Sequence, residues 1–252
     1  DQSIKAENKI KQFIEEIKKE FNLAHNQICL SGFSQGCMMS LNVGLTSAEK
    51  FLCIVGFSGK IIDQNNHLVE PPTLIAVTKR RSIEEINTAY QLGINHFGEN
   101  YLQEAIEKIN LFKGQATWHF IGSIQSNKTK LIAKHFDWVH TITRIKVAQK
   151  LHEYRTSKIQ PLNICIQVKL DDDDTRDSLP INEIPQLIKE IELLQNLKIR
   201  GLMGMTQPGS SLQHRDQCFK LLKDAFDDLN QNGYNMNTIS LGMSDDYQLA
   251  IQ

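Results

Sequence analysis

The fold is decided by the stretch TLIAVTKRRSIEEINTAYQLGINHFGEN, residues 73–100. It begins with an apolar run rich in β-branched residues, continues with apolar residues at helical spacing, and ends in a second apolar run. A strand, an amphipathic helix and another buried strand in succession predict a βαβ unit. The two strands of such a unit are parallel, because the helix carries the chain back along the sheet.

The same alternation continues along the rest of the chain. Five further apolar runs, each preceded by a helical segment, follow residue 100; they are TWHFIGS, WVHTI, LNICIQVKL, IRGLMGM and NTISLGM. One strand per helix predicts a parallel sheet, and seven successive units favour a (β/α)8 barrel over an open sheet. We therefore predict an α/β fold with a barrel of this type, in which seven strands are recognisable, over residues 73–252.

Residues 1–60 follow a different plan. A helical pattern over residues 3–21 precedes the strand QICLSG, the helix QGCMMSLNVGL and the strand FLCIVGFSG. The GFSQG segment matches the G-x-S-x-G nucleophile elbow, with Ser34 as its serine. This βαβ fragment resembles the middle of a small carboxylesterase of the α/β-hydrolase family. Residues 61–72 have no clear period and contain two prolines, which predicts a linker.

Ser34 lacks the partners that a hydrolase needs. The triad acid and histidine of an α/β-hydrolase follow the serine and come from separate loops. Asp63 and His67 are the only aspartate and the only histidine between Ser34 and the barrel pattern, and they lie four residues apart in one short segment. We therefore predict that Ser34 is inert. A serine carboxylesterase remnant remains the alternative function, and a non-functional fusion of two gene fragments is a third.

The composition argues against several classes of partner. The 252-residue chain has a formal net charge of -1, so no global positive field draws it to nucleic acid or to an anionic membrane. No apolar run reaches the length of a membrane span, and residues 1–20 are charged, unlike a secretory signal. The five cysteines are scattered and odd in number, which is typical of reduced thiols in a cytoplasmic protein.

Polar residues follow the strands at the predicted carboxyl rim of the barrel, where such folds carry their chemistry. Lys79 ends the first strand, and desolvation there would favour a neutral amine that forms a Schiff base with an aldehyde. Asn100 ends the second strand. The turn Gly242-Met243-Ser244 ends the seventh and offers backbone N–H groups and a hydroxyl, which suit a phosphate. A lysine and a phosphate-ready turn together indicate pyridoxal 5′-phosphate.

Residues 72–252 also resemble the pyridoxal phosphate homeostasis proteins. The matching stretches occur in the order of the family; they are LIAVTK, FGENYLQEAIEKI, WHFIGSIQSNKTK, FDWVHTI, LNICIQV, RGLMGM and SLGMSDD. The resemblance implies a single barrel like the barrel domain of alanine racemase. It implies Lys79 as the Schiff-base lysine, with the other cofactor-binding positions at Asn100, His119, Gly242, Met243 and Ser244.

The resemblance further implies a monomeric cytoplasmic protein that binds pyridoxal phosphate. Its family has no established turnover, so no catalytic residue is assigned, and pyridoxal-phosphate-dependent apo-enzymes are the candidate partners. Asp171 to Asp174 do not suggest a metal site, because four consecutive acids converge poorly on one ion. We predict a solvated loop there and no metal.

The sequence departs from the family pattern at several places. Thr143 stands where the family usually has Asp, Lys169 where it has Asn, and residues 175–178, TRDS, where it has SKSG. The sequence also stops at Gln252, before the last strand of the family. We therefore expect a barrel that is incomplete at its C-terminus.

Overall fold

The computed structural model describes residues 2–33, 43, 47, 53–57, 61–62, 68–69, 72–156, 160–172 and 176–251. The chain divides into two compact units, Asp1–Pro72 and Thr73–Gln252. The described strands form three sheets, of two, seven and two strands.

The first unit begins with helix α1, Gln2–Phe21, and a 3-10 turn at His25–Gln27. Strand β1, Cys29–Phe33, pairs in parallel with strand β2, Cys53–Phe57, so the two parallel strands expected here are confirmed. Ser34 lies outside the described residues, as does most of the helix expected after it.

The stretch expected to be a linker contains a short strand pair. Strand β3, Ile61–Ile62, pairs antiparallel with strand β4, Leu68–Val69. Isoleucine and valine are β-branched and favour extended backbone, which accounts for a pairing in a segment that has no longer pattern.

The second unit is built on a seven-stranded parallel sheet, and it confirms the predicted strand–helix alternation. Its strands are β5 Ala76–Val77, β6 His96–Glu99, β7 Thr117–Phe120, β8 Trp138–Ile142, β9 Leu162–Gln167, β10 Leu197–Met203 and β11 Thr238–Ser240. Each strand pairs with the next one along the chain, from β5 at one end of the sheet to β11 at the other. A sheet with this sequential order curls into the wall of a (β/α)8-type barrel.

Helices connect these strands. They are α2 Ile83–Gln91, α3 Leu102–Leu111, α4 Thr129–His135, α5 Ile145–Tyr154, α6 Ile184–Ile191, α7 Leu212–Gln231 and the four-residue α8 Tyr247–Ala250. Helix α8 is a single turn, too short to show a period in the sequence. A 3-10 turn at Ile181–Glu183 precedes α6.

Alternation along the strands separates two environments. Phe97 of β6 stands beside Trp118 of β7 in the parallel register, and both rings pack with Phe112 at the end of α3. On the opposite face Gly98 stands beside His119. The aromatic face joins the main hydrophobic core, whereas the other face lines the inside of the curl and carries polar side chains.

The described part of the chain has no helix that is both long and apolar enough to cross a membrane.

Candidate cofactor-binding site

The predicted site residues follow strands whose carboxyl ends share one edge of the sheet. Asn100 comes directly after β6, and Lys79 follows β5 by two residues. The turn that begins at Gly242 follows β11 in the same way. Because all seven strands are parallel, these residues lie on one rim, as active residues do in barrels of this type.

Lys79 projects from a turn whose start is firmly held. Thr78 is buried; its amide donates to the Gly98 carbonyl at 2.9 Å and its hydroxyl donates to Glu99 Oε1 at 2.7 Å. Arg80, which directly follows Lys79, has a φ of 61°, so the chain turns sharply away from the sheet. Lys79 is therefore exposed, which differs from the desolvated lysine that the sequence suggested.

The buried ammonium of Lys108 holds this turn by hydrogen bonds. Lys108 Nζ donates to the Thr78 carbonyl at 2.6 Å, to Glu99 Oε1 at 2.8 Å and to Glu104 Oε1. Glu104 Oε1 also accepts the amide of Arg80. The Lys108 cluster, which we define as Lys108, Glu99 and Glu104, thus holds the backbone on both sides of Lys79.

Both carboxylates of this cluster lie within hydrogen-bond distance of Lys108 Nζ. Burial by itself raises the pKa of Glu104, but the hydrogen bonds from Lys108 and from the Arg80 amide outweigh it and leave that pKa below its ordinary value. Glu99 is fully buried, and its second oxygen, Oε2, has no hydrogen-bond partner among the described residues. An unpaired Glu99 would therefore be costly in this position.

Asn100 presents an acceptor without a donor. Its Oδ1 is buried and has no hydrogen-bond partner within the part of the chain that the structure describes. Gly122 packs against its backbone so closely that a Cβ there would lie 2.2 Å from the Asn100 carbonyl oxygen. Thr141 in turn donates its hydroxyl to the Gly122 carbonyl at 2.7 Å. A buried acceptor that costs about 1–3 kcal/mol when unsatisfied fits a donor on a bound ligand.

The turn at residues 242–244 is held by a buried carboxylate. Gly242 has a φ of 86°, and a Cβ at this position would lie 2.8 Å from the Cβ of Ala250. The Met243 amide donates to Asp246 Oδ1. The sequence suggested that the Met243 amide is free to contact a phosphate, but this amide already donates to Asp246. The Ser244 side chain, in contrast, is exposed.

Asp246 is itself anchored inside the unit. It is 3% exposed, and its Oδ2 lies 3.3 Å from Arg215 Nη1 and 3.4 Å from the Thr206 hydroxyl. Arg215 comes from α7 and also donates to the Ser210 carbonyl at 3.1 Å. The shape of the turn thus depends on a buried ion pair that the sequence analysis did not identify.

His119 lies inside the curl, with both ring nitrogens hydrogen-bonded. It is 2.9 Å from His96 through Nε2 and 2.9 Å from His140 through Nδ1. His140 continues the row to the hydroxyl of Ser240 at 2.7 Å. We call His96, His119, His140 and Ser240 the histidine row; it joins β6, β7 and β8 to β11.

The histidine row consists of neutral rings. Desolvation, followed by the neighbouring His140 and His96, lowers the pKa of His119 to about 2. Desolvation lowers the pKa of His140 to about 4. For His96, desolvation lowers the pKa and Asp137 partly opposes it. A neutral imidazole donates through one nitrogen and accepts through the other, which is what a row of this kind requires.

The residues that depart from the family pattern form contacts of their own. The Thr143 hydroxyl donates to Asp177 Oδ2 at 2.9 Å, and Arg144 Nη2 lies 3.0 Å from the same oxygen. A carboxylate from the loop after β9 therefore sits beside the end of β8. Arg176 Nη1 donates to the Thr206 carbonyl at 3.0 Å, and Thr175 lies outside the described residues.

The buried charges were not predicted from the sequence, although one signal for them is present. Glu104 and Lys108 are four residues apart on α3, a spacing that predicts an ion pair. Such a pair normally lies on a solvated helix surface, and only the fold shows that Glu99 meets it from β6.

Two family models match the chain. Residues 62–252 match the N-terminal domain of alanine racemase, and residues 1–111 match the phospholipase and carboxylesterase family. The second unit is thus a barrel of the alanine racemase N-terminal class.

Similar proteins identify the family within this class of barrels. A pyridoxal phosphate homeostasis protein of Pasteurella multocida is 43% identical over 184 residues, which cover 71% of this chain and 79% of that protein. The protein of the same designation from Escherichia coli K12 is 38% identical over 186 residues, covering 72% and 80%. The chain belongs to the family of pyridoxal phosphate homeostasis proteins.

Solved structures show the same fold. PipY of Synechococcus elongatus, solved without pyridoxal phosphate, is 32% identical and superposes with a TM-score of 0.68, covering 72% of this chain and 87% of PipY. PipY with pyridoxal phosphate bound gives a TM-score of 0.67 over the same shares. An alanine racemase of Clostridium difficile, at 16% identity and a TM-score of 0.60, shares the fold over 71% of this chain and 48% of its own.

The Lys108 cluster generates a stability prediction. Lys108→Met should lower the free energy of unfolding by about 3–5 kcal/mol, because it leaves the Glu99 carboxylate buried without a cationic partner. Lys220→Met is the matched control; it removes an exposed i,i+4 pair with Asp216 and should change stability by less than about 1 kcal/mol. Urea unfolding measures both. Equal midpoints for Lys108→Met and the wild type would contradict the role of the cluster.

The histidine row generates a prediction about pH. Between pH 6.5, the ordinary pKa of histidine, and pH 4, the unfolded chain binds protons that the folded His119 and His140 do not. Stability present above pH 6.5 is therefore lost as the pH falls, by about 2 kcal/mol for each histidine at pH 5.

The test compares urea unfolding at pH 7.5 and pH 5 in the wild type and in His119→Gln. The variant should lose about 2 kcal/mol less over this interval, since glutamine does not titrate. Ser240→Ala serves as the control, because it removes a hydrogen bond but keeps the imidazoles, and its pH dependence should resemble the wild type. An unchanged pH dependence in His119→Gln would refute the assignment.

Proposed function

We propose that this chain binds pyridoxal 5′-phosphate on Lys79 and serves in the supply of this cofactor inside the cell. The observation that carries the proposal is the rim itself, where an exposed lysine, a buried unsatisfied acceptor at Asn100 and a polar turn ending in Ser244 follow the ends of parallel strands. PipY, which is 32% identical, has been solved with pyridoxal phosphate bound, and that supports the choice of ligand.

The residues present fit the chemical groups of the cofactor. When bound, pyridoxal phosphate supplies an aldehyde that condenses with a lysine amine with loss of water. The Lys108 cluster holds the backbone on both sides of Lys79 and so orients its side chain. Asn100 Oδ1 accepts a hydrogen bond from the ligand. Ser244 donates its hydroxyl to the phosphate, on a turn whose shape depends on Gly242 and on the Met243 contact with Asp246.

In this proposal His119 does not contact the ligand. Both of its ring nitrogens are already bonded within the histidine row, so its contribution is to keep the strand ends in register. It positions the wall of the site, and it does not donate to the ligand.

The exposure of Lys79 suggests a carrier. Water reaches an exposed lysine, so the bond between Lys79 and the aldehyde is open to hydrolysis and the cofactor is readily released. We propose a monomeric cytoplasmic protein that passes pyridoxal phosphate to apo-enzymes. The buried, unpaired thiols of Cys165 and Cys218 are consistent with a reducing compartment.

The assignment of Lys79 leads to a direct test. Wild-type protein incubated with pyridoxal phosphate and reduced with borohydride should carry one adduct, which peptide mass spectrometry maps to Lys79. Lys79→Ala should lose the reducible visible absorbance, and Lys79→Arg should lose it as well, since a guanidinium does not form the bond.

Lys113→Ala, which removes an exposed lysine that follows α3, is the control and should keep the adduct. An adduct that maps to Lys128, or one that persists in full in Lys79→Ala, would contradict the assignment.

The carboxylesterase match over residues 1–111 favours a second candidate, an esterase that uses Ser34. Ser34, Asp63 and His67 all lie outside the described residues. We propose that residues 1–60 are a hydrolase-like fragment, joined to the barrel through residues 61–72, and that Ser34 does not act as a nucleophile. The support is the sequence order, which supplies no separate acid and histidine loops after Ser34.

A fluorophosphonate probe separates the two candidates. Without a general base to take its proton, Ser34 should react no faster than other serines. Ser34→Ala should therefore leave the labelling unchanged, and neither protein should hydrolyse p-nitrophenyl acetate above the rate of a denatured sample. Rapid, stoichiometric labelling that disappears in Ser34→Ala would overturn this prediction.

A further inference from the structure

A second group of reactive side chains lies in the barrel unit and takes no part in the proposed cofactor site. His214 and Cys218 are four residues apart on α7, so they share one face of the helix. Asp171, from the loop that follows β9, meets that face. One ligand atom from each of the three residues lies within 4.8 Å of the others.

We propose that Asp171, His214 and Cys218 bind a divalent transition-metal ion, with Zn²⁺ as the ion that the donor set fits best. Thiolate sulfur, imidazole nitrogen and carboxylate oxygen are the three ligand types of protein zinc sites. Hard ions such as Mg²⁺ and Ca²⁺ prefer oxygen ligands alone, which a site with a thiol and an imidazole does not provide.

The distances within the group already approach a zinc tetrahedron. Cys218 Sγ and His214 Nε2 are 3.5 Å apart. A tetrahedral ion with Zn–S of about 2.3 Å and Zn–N of about 2.0 Å places its sulfur and nitrogen about 3.5 Å from each other. The helix therefore presents this pair ready to bind, and the carboxylate oxygen lies within 4.8 Å of both atoms. Three protein ligands leave the fourth position of the ion to water.

Neighbouring groups hold each of the three ligands. Asp171 Oδ2 accepts the Gln207 amide at 2.9 Å, which directs the carboxylate. The amide of His214 is capped by the Ser211 hydroxyl at 3.2 Å, and this cap fixes the first turn of α7. Cys218 donates its thiol to the Leu170 carbonyl at 3.4 Å, next to Asp171. Outer contacts of this kind orient the ligands of metal sites.

Solvent reaches the group from one side. Asp171 lines an open surface groove of about 500 Å³ together with Lys169, Asp172 and Ile181, and His214 is half-buried. Cys218 is only 3% exposed, so it is the most buried of the three ligands. An ion can thus enter at the carboxylate and the imidazole and reach the thiol last.

The same three residue types also occur in cysteine nucleophiles, but the surroundings here argue against that use. Cys218 is almost fully buried, and its thiol already donates to the Leu170 carbonyl. A reactive cysteine needs exposure to its substrate. When a divalent ion binds, the sulfur–metal bond forms as the thiol proton leaves to solvent, and the ion neutralises the carboxylate beside it.

Cobalt provides a spectroscopic probe of the site. Full-length wild-type protein, freed of metals with a chelator and free of pyridoxal phosphate, is titrated with Co²⁺. A thiolate-to-cobalt charge-transfer band should appear in the near-ultraviolet, together with intense visible bands of a tetrahedral ion. Zn²⁺ should displace the cobalt and raise the melting temperature, because the ion joins the loop after β9 to α7.

Variants assign the signal to the three residues. Cys218→Ser should lose the charge-transfer band, and His214→Ala and Asp171→Asn should each weaken Co²⁺ binding by at least tenfold. Asp216→Asn removes a carboxylate from the same helix and Cys165→Ala removes the other described buried thiol, and both should bind Co²⁺ like the wild type.

Circular dichroism confirms that each variant is folded, and Asp171→Asn, on the loop, carries the test if a helix variant fails to fold. No charge-transfer band in the wild type overturns the proposal. A band that is equally strong in Cys218→Ser, or equal affinity in Asp171→Asn, overturns it as well.

Discussion

The proposed cofactor site depends on one buried charge contact, between Lys108 of α3 and Glu99 of β6. Neither side chain reaches bulk water, so each needs the other, and their pairing also fixes the Thr78 carbonyl. Through that carbonyl the contact sets the path of the chain on which Lys79 stands. A buried ion pair adds little net stability compared with an apolar pair, and its value lies in the single geometry that it enforces. The exposed lysine is thus placed by two charges that never meet the ligand.

The sequence predicted the parts of the structure that repeat along the chain. The strands of the second unit were visible because they are short runs rich in apolar and β-branched residues, and the helices because one face of each is apolar. Lys79, Asn100 and the turn at 242–244 were predicted as site residues because the carboxyl ends of parallel strands share one rim. Contacts between distant elements left no such pattern. Nothing near His140 in the sequence indicates its hydrogen bond with Ser240. The burial of Asp246 likewise depends on an ion pair with Arg215 of α7.

The end of β8 is tied to a loop by one carboxylate. Asp177 arrives from the loop after β9 and bonds both Thr143 and Arg144. The order of that loop is thereby linked to the rim. Family membership predicts the barrel, whereas the hydrogen bonds and ion pairs around it depend on the residues of this chain. The overlap of the two family models over residues 62–111 fits the strand–helix alternation that both folds share.

The contact between His140 and Ser240 has a consequence for the order of events during synthesis. The two residues are 100 positions apart, so at about 5–20 residues per second a ribosome needs about 5–20 s to make the second partner after the first. During that time β8 can pair with its neighbours, but His140 Nδ1 lacks the hydroxyl that completes it. Until β11 is made, His140 Nδ1 in the nascent barrel has to bond water in place of Ser240. Binding of a chaperone to the growing chain would be most useful in this interval, before the last described strand closes over the row.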